Sequence, residues 1–148
     1  MTRPRYLTPS LSCLVAVALL TACSAGVQDA ADKEAAAYAH ENLRADLESR
    51  LAAIGDPQQR PAAAEKLLGG GPEGLVPASS FWWTPGARRG ATIPVVVYFY
   101  RDETVLSDGP AWGRACQDFV IGDQVQVRST DCPDRTPASP GLSAISPP

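Results

Sequence analysis

Few residues in this chain are of a kind that performs chemistry, and their spacing narrows the options further. General acid–base catalysis needs two placed carboxyl groups. Asp102, Glu103 and Asp118 are the residues from which such a pair would be built. Only their presence supports a hydrolase, since strand ends and turns commonly carry acidic residues. His40 is the single histidine, which excludes a multi-histidine metal site. It fits a general base or a pH switch, or a half-buried helix histidine with one local hydrogen bond. No catalytic partner accompanies it, which favours the second reading. The chain has no G-x-S-x-G, no H-E-x-x-H, no S-x-x-K and no dinucleotide fingerprint. Gly69-Gly70-Gly71-Pro72 lacks the Lys-Ser/Thr of a phosphate loop and reads as punctuation. The most informative cluster is Phe81-Trp82-Trp83 followed by Arg88-Arg89. Aromatic residues with arginine are the composition of interface hot spots, and they also suit stacking on sugar rings. Successive strand residues point to opposite faces. Trp82 and Trp83 therefore enter a core together only if the sheet is covered on both sides. Trp112 is a further aromatic that could extend an exposed patch. The chain reads as a non-enzyme with no cofactor, and Trp82, Trp83, Arg88 and Arg89 are its candidate binding surface.

Charge and the N-terminus place this surface. The chain carries 13 basic and 16 acidic residues. Arg3 and Arg5 lie in the first 22 residues, so the remainder has a net charge of −5. Such a chain has no general attraction for nucleic acid or anionic lipid. Arg3 and Arg5 precede an apolar run from Leu11 to Leu20, in the order of an export signal. The run is too short to cross a bilayer, which needs about 20 apolar residues. It leads directly into Leu20-Thr21-Ala22-Cys23.

That tetrapeptide resembles the lipobox of bacterial lipoproteins: an apolar residue, two small ones, then cysteine. The resemblance covers residues 1–23. It implies diacylglyceryl transfer to the Cys23 sulfur, cleavage before Cys23, and a domain held at the extracytoplasmic face of the membrane by acyl chains such as palmitate. Two chains anchor stably where one is marginal. The alternative is an ordinary secretory signal cut after Ala22 or Ala25. Low histidine and high Ala, Pro, Arg and Gly, taken with the lipobox, resemble small lipoproteins of high-GC Gram-positive bacteria. A domain in such a cell faces the wall, and its partners would be an envelope protein or a wall polymer.

Of the four cysteines, Cys13 leaves with the signal and Cys23 is the lipidation residue. Cys116 and Cys132 remain as an even pair in an oxidising setting. The pair lacks C-x-x-C spacing, so a structural disulfide is expected rather than a redox or metal site. Closing a loop of that length stabilises by about 3 kcal/mol.

The elements that position these residues follow from pattern. Residues 23–27 form a tether. From Gln28 to Ile54 the chain is rich in helix formers, with an apolar stripe of Ala36, Leu43, Leu47, Leu51 and Ile54. Opposite charges four residues apart, Asp29/Lys33, Arg44/Glu48 and Asp46/Arg50, suit a solvated flank. Gly55 reads as the residue after the helix. A short helix is expected from Pro61 to Leu68. Strands are expected at about 79–83, 92–101, 114–121 and 124–130, with Ser107-Asp108-Gly109-Pro110 as a turn. The second strand holds six successive β-branched or aromatic residues, Val95 to Tyr100, and reads as central and covered on both faces. For the last hairpin, a three-residue loop places Phe119 opposite Val127, and a two-residue loop places it opposite Gln126. The apolar faces favour the first. In neither register does Cys116 face Cys132, so the chain must curl back. Pro133 to Pro148 carries five prolines and three serines and reads as an extended or disordered tail.

The expected fold is α+β: one long and one short N-terminal helix packed on a four-stranded antiparallel sheet, as a single domain over residues 28–132. The element order is similar to cystatin-like and NTF2-like layouts, which licenses no function by itself. Two readings of function follow besides the acidic-residue hydrolase. One is a membrane-anchored, non-catalytic binding module. The other is a small-ligand carrier with a pocket between helix and sheet.

Overall fold

The computed structural model describes residues 28–70, 74–101 and 111–141, together with Gly26. Cys13, Cys23, Asp102, Glu103, the turn at Ser107-Asp108-Gly109-Pro110 and the last seven residues lie outside the described residues. A helical layer packs on a four-stranded antiparallel sheet, so the α+β class holds.

The helices differ from the expected pair. The first, α1, spans residues 28–51, but it is a composite. Residues 28–38 are α-helical, Ala39–Leu43 form a π turn, and Arg44–Leu51 are α-helical again. The second, α2 (Arg60–Leu68), is a small element of nine residues. The π turn has a cause in the sequence. Ala31, Ala35, Ala39, Leu43, Leu47 and Leu51 are all buried to within 1%, and each lies four residues after the last. In a helix of 3.6 residues per turn, a four-residue step overshoots by about 40°, so five such steps drift by about 200°. A π turn takes up roughly one extra residue, about 100° of rotation. The six residues then stay within a stripe of about 100°, which is what one face of a sheet can cover.

α1 ends at Leu51, three residues before the expected Ile54. Pro57 disfavours helical backbone at Asp56. Asp56 Oδ1 instead accepts the Gln58 N–H at 2.9 Å, and the Ile54 N–H closes a tight turn on Leu51 O at 3.0 Å.

The strands are β1 (Phe81–Pro85), β2 (Thr92–Arg101), β3 (Ala111–Ile121) and β4 (Val125–Thr130), paired in sequence order. β1 starts two residues later than expected, because the Phe81 N–H closes a turn on Ala78 O. Pro85 is accommodated at the end of this edge strand, where its missing N–H removes no ladder bond. β3 starts three residues earlier than expected, so Trp112 and Gly113 are strand residues opposite Tyr100 and Phe99. The last hairpin has the three-residue register, with Ile121 opposite Val125 and Phe119 opposite Val127.

Strand alternation now defines two faces. The inner face carries Phe81 and Trp83, then Ile93, Val95, Val97 and Phe99, then Gly113, Ala115, Gln117, Phe119 and Ile121, then Val125 and Val127. Leu43, Leu47 and Leu51 of α1, Ala64 and Leu68 of α2, and Leu75 join it in one core. Tyr38 stacks on Phe81 with ring centres 4.0 Å apart, and Phe81 meets Phe99 at 4.9 Å.

At the start of α1 the layers almost touch. A Cβ at Gly113 would lie 2.1 Å from the Ala31 carbonyl oxygen, so only glycine fits. β4 pairs with residues 116–121 of β3, and α1 supplies partners to the strand beyond that point. Asp32 Oδ1 accepts the Arg114 N–H at 2.8 Å, and Gln28 Nε2 donates to Trp112 O at 3.0 Å. Glu48 Oε1 does the same at the start of β4, accepting the Val125 N–H at 2.9 Å. α1 therefore runs along the sheet from Trp112 toward the β3–β4 hairpin.

Candidate functional site

The outer face carries Trp82 and Thr84 from β1, and Pro94, Val96, Tyr98 and Tyr100 from β2. β3 adds Trp112, Arg114, Cys116 and Asp118, and β4 adds Gln126, Arg128 and Thr130. The residues after β4 cross its middle. The disulfide joins Cys116 to Cys132, with Cα atoms 5.2 Å apart, and turns the chain back over the sheet. The Arg114 guanidinium then donates to the Thr136 carbonyl. The Tyr98 hydroxyl donates to the Pro137 carbonyl at 3.2 Å. Pro140 is buried, and Gly141 reaches a concavity shared with Trp82, Trp83 and Thr84. The first nine residues of the segment expected as a free tail are thus a strap across the strands. The expectation missed that side chains on the outer face add hydrogen bonds to the segment beyond its own turn, in which the Thr136 N–H donates to Pro133 O at 2.8 Å. The strap leaves Tyr98 only 2% exposed. Burial raises its phenol pKa above the ordinary 10.0, against a lowering by the Arg114 charge.

The strap divides the outer face into two ends. One end, beside the start of α1, is aromatic. Trp112 meets Trp82 edge to face at 5.2 Å and Tyr100 at 5.0 Å, and all three rings are half-buried. The other end is an open concavity of about 400 Å³. Pro94 and Val96 give it apolar lining; Thr84, Arg89, Asp118 and Thr130 give it polar groups. Its size is within the ordinary range for a small-molecule or side-chain pocket.

The four residues expected to form one binding surface are separated. Trp82 lies on the outer face. Trp83 lies on the inner face, where its indole N–H donates to Leu68 O at 2.9 Å. Arg88 turns toward α2, donating to Glu65 Oε2 at 2.8 Å and Gly90 O at 2.9 Å. Arg89 lies at the concavity, 3.7 Å from Asp118 Oδ1, with 70% of its side chain exposed. Alternation separates the tryptophans, and the β1–β2 connection separates the arginines. Tyr98, Tyr100 and Arg114 were not singled out from sequence. Their parity with Trp112 and Cys116 along β2 and β3 is the signal that unites them.

Of the acid–base candidates, Asp118 and His40 are among the described residues. Asp118 faces Arg89. His40 Nε2 lies 3.3 Å from the Ser129 hydroxyl, a partner on β4 rather than a local one. Among the described residues no group of three or more His, Cys, Asp or Glu is placed to hold a metal ion. Gln117 is 2% exposed on the inner face, and its Oε1 has no hydrogen-bond partner among the described residues. No family model, curated protein or solved structure matches the chain.

Proposed function

We propose that the chain is a membrane-anchored extracytoplasmic lipoprotein whose domain is a non-catalytic binding module of the cell envelope, using the concavity on the outer face. The anchor reading rests on the apolar run that ends in Leu20-Thr21-Ala22-Cys23. No helix among the described residues is long and apolar enough to cross a membrane. The observation that carries the binding reading is the concavity beside Arg89: apolar lining, polar groups of both charges, and the strap along one side. Arg89 and Trp82 are the members of the expected surface that belong to this face. A small-ligand carrier draws on the same concavity. Its expected position between helix and sheet is filled by Leu43, Leu47, Leu51 and Phe119, each at most 1% exposed.

Two experiments test the proposal. Labelled palmitate fed to cells should enter the chain, and Cys23→Ala should abolish both labelling and membrane recovery. Crosslinking in living cells followed by mass spectrometry should recover a stoichiometric protein or a wall fragment. Blocking the concavity with Thr84→Arg and reversing Arg89 to Glu should remove that product while circular dichroism stays unchanged. Undiminished crosslinking in the blocked, folded variant would refute the site.

A further inference from the structure

The aromatic end of the outer face has a different surrounding from the concavity, and the length of chain before α1 says what lies next to it. Cys23 is five residues before Gln28. A chain fully extended at ~3.6 Å per residue spans at most about 18 Å over that interval. Gln28 is itself fixed to the sheet at Trp112, through the 3.0 Å bond from its side chain to the Trp112 carbonyl. Whatever path the intervening residues take, an anchor at Cys23 holds Trp112, Tyr100 and Trp82 within reach of the membrane surface. The concavity lies across the strap, toward the opposite strand ends.

We infer that Trp82, Tyr100 and Trp112 form a lipid-contact patch that seats the domain on the headgroup region of the bilayer and turns the concavity away from it. This inference rests on the anchor at Cys23. The chemistry of the patch fits the position. Tryptophan and tyrosine combine an apolar ring with a polar edge and favour the membrane–water interface. The three rings are half-buried, so they offer area without standing free of the domain. Contact is apolar rather than ionic. The net charge of −5 beyond the signal gives no general pull toward anionic lipid, so the tether, not electrostatics, brings the patch to the surface. Trp83 provides an internal control, because it lies on the inner face with its N–H committed to Leu68.

The test uses the chain from Cys23 onward, whose only free thiol is Cys23 because Cys116 and Cys132 are bridged. Cys23 is coupled to a maleimide lipid in phosphatidylcholine vesicles, with and without brominated acyl chains as fluorescence quenchers. Flotation confirms attachment. The expected result is a loss of tryptophan emission on brominated vesicles. The loss should disappear in Trp82→Phe/Trp112→Phe, which keeps Trp83 alone, and should be absent when the uncoupled chain is mixed with the same vesicles. Equal emission of the attached, unaltered chain on brominated and plain vesicles would overturn the inference, and this arm needs no variant to fold. Quenching that persists in the protein retaining only Trp83 would overturn it too. Because the lipid is attached chemically, these outcomes are independent of palmitate labelling in cells, which tests the anchor itself.

Discussion

Replacing Gly113 with alanine should separate the two layers at the end of the domain where α1 begins. The added methyl would lie 2.1 Å from the Ala31 carbonyl oxygen, 2.2 Å from its carbon and 2.8 Å from the Ala31 Cβ. Two of these atoms are backbone, so no side-chain rotation relieves the overlap, and α1 must move away by about 1 Å, a gap that forfeits a quarter to a half of each contact's attraction. Overpacking of this kind costs about 1–3 kcal/mol. The bonds from Asp32 to the Arg114 N–H and from Gln28 to the Trp112 carbonyl stretch with the same movement, and each contributes about 1 kcal/mol. The expected loss is on the order of 3 kcal/mol, or about 10 °C or more in Tm for a domain of this size. Urea unfolding followed by circular dichroism measures it. Adding Ala31→Gly should not rescue the variant, since it removes only the 2.8 Å contact. A loss below about 0.5 kcal/mol, the range of neutral surface changes, would refute the close approach, as would full rescue by Ala31→Gly.

Other variants probe the remaining features. Cys116→Ser/Cys132→Ser should lower stability by about 3 kcal/mol, read by urea unfolding, and should make the strap a faster target for trypsin after Arg135. Trp83→Phe keeps the ring in the core but removes the donor to Leu68 O, so a loss of about 1–2 kcal/mol is expected in thermal unfolding. Gln117→Met replaces a buried, unpartnered acceptor with a group of similar volume, so urea unfolding should show a gain of about 1 kcal/mol. The raised Tyr98 pKa has a defined sign: its stabilisation is complete below pH 10.0 and is lost as pH rises through the higher folded value. Ionisation of Tyr98 in the folded protein, read as absorbance at 295 nm, should therefore begin at higher pH than that of an exposed tyrosine, and Tyr98→Phe should remove that late component.

Much of the sheet was legible because its signals are local. The run Val95 to Tyr100 marks the central strand, and the match of Phe119 with Val127 favours the three-residue hairpin register that the sheet adopts. The disulfide followed from cysteine arithmetic. The misses share a physical character. Ala31, Ala35 and Ala39 looked like ordinary helix formers, yet they are the close-packing face, because alanine propensity hides its role in burial. Proline and serine in 133–141 looked like a disordered tail. Its order depends on Arg114 and Tyr98, residues distant in sequence whose side chains point outward from the sheet. The split of Trp82 from Trp83 was legible from alternation. The union of Trp82 with Trp112 was not, because it needs the β2–β3 register to bring them to one end.

The π turn at Ala39–Leu43 also sets how this helix tolerates change in length. Deleting Asn42 would give the backbone a regular α-helix and improve its local hydrogen bonding. Because the extra residue and the wide turn would leave together, Leu47 and Leu51 would keep their bearing relative to Ala31 and Ala35, within the same stripe of about 100°, and the apolar face would stay on the sheet. A residue deleted elsewhere in α1, with the π turn kept, would instead swing Leu47 and Leu51 by about 100°. Within this helix, a single-residue deletion is therefore tolerated at the π turn and not elsewhere, and a lineage could lose the wide turn by losing one residue there while keeping its apolar positions.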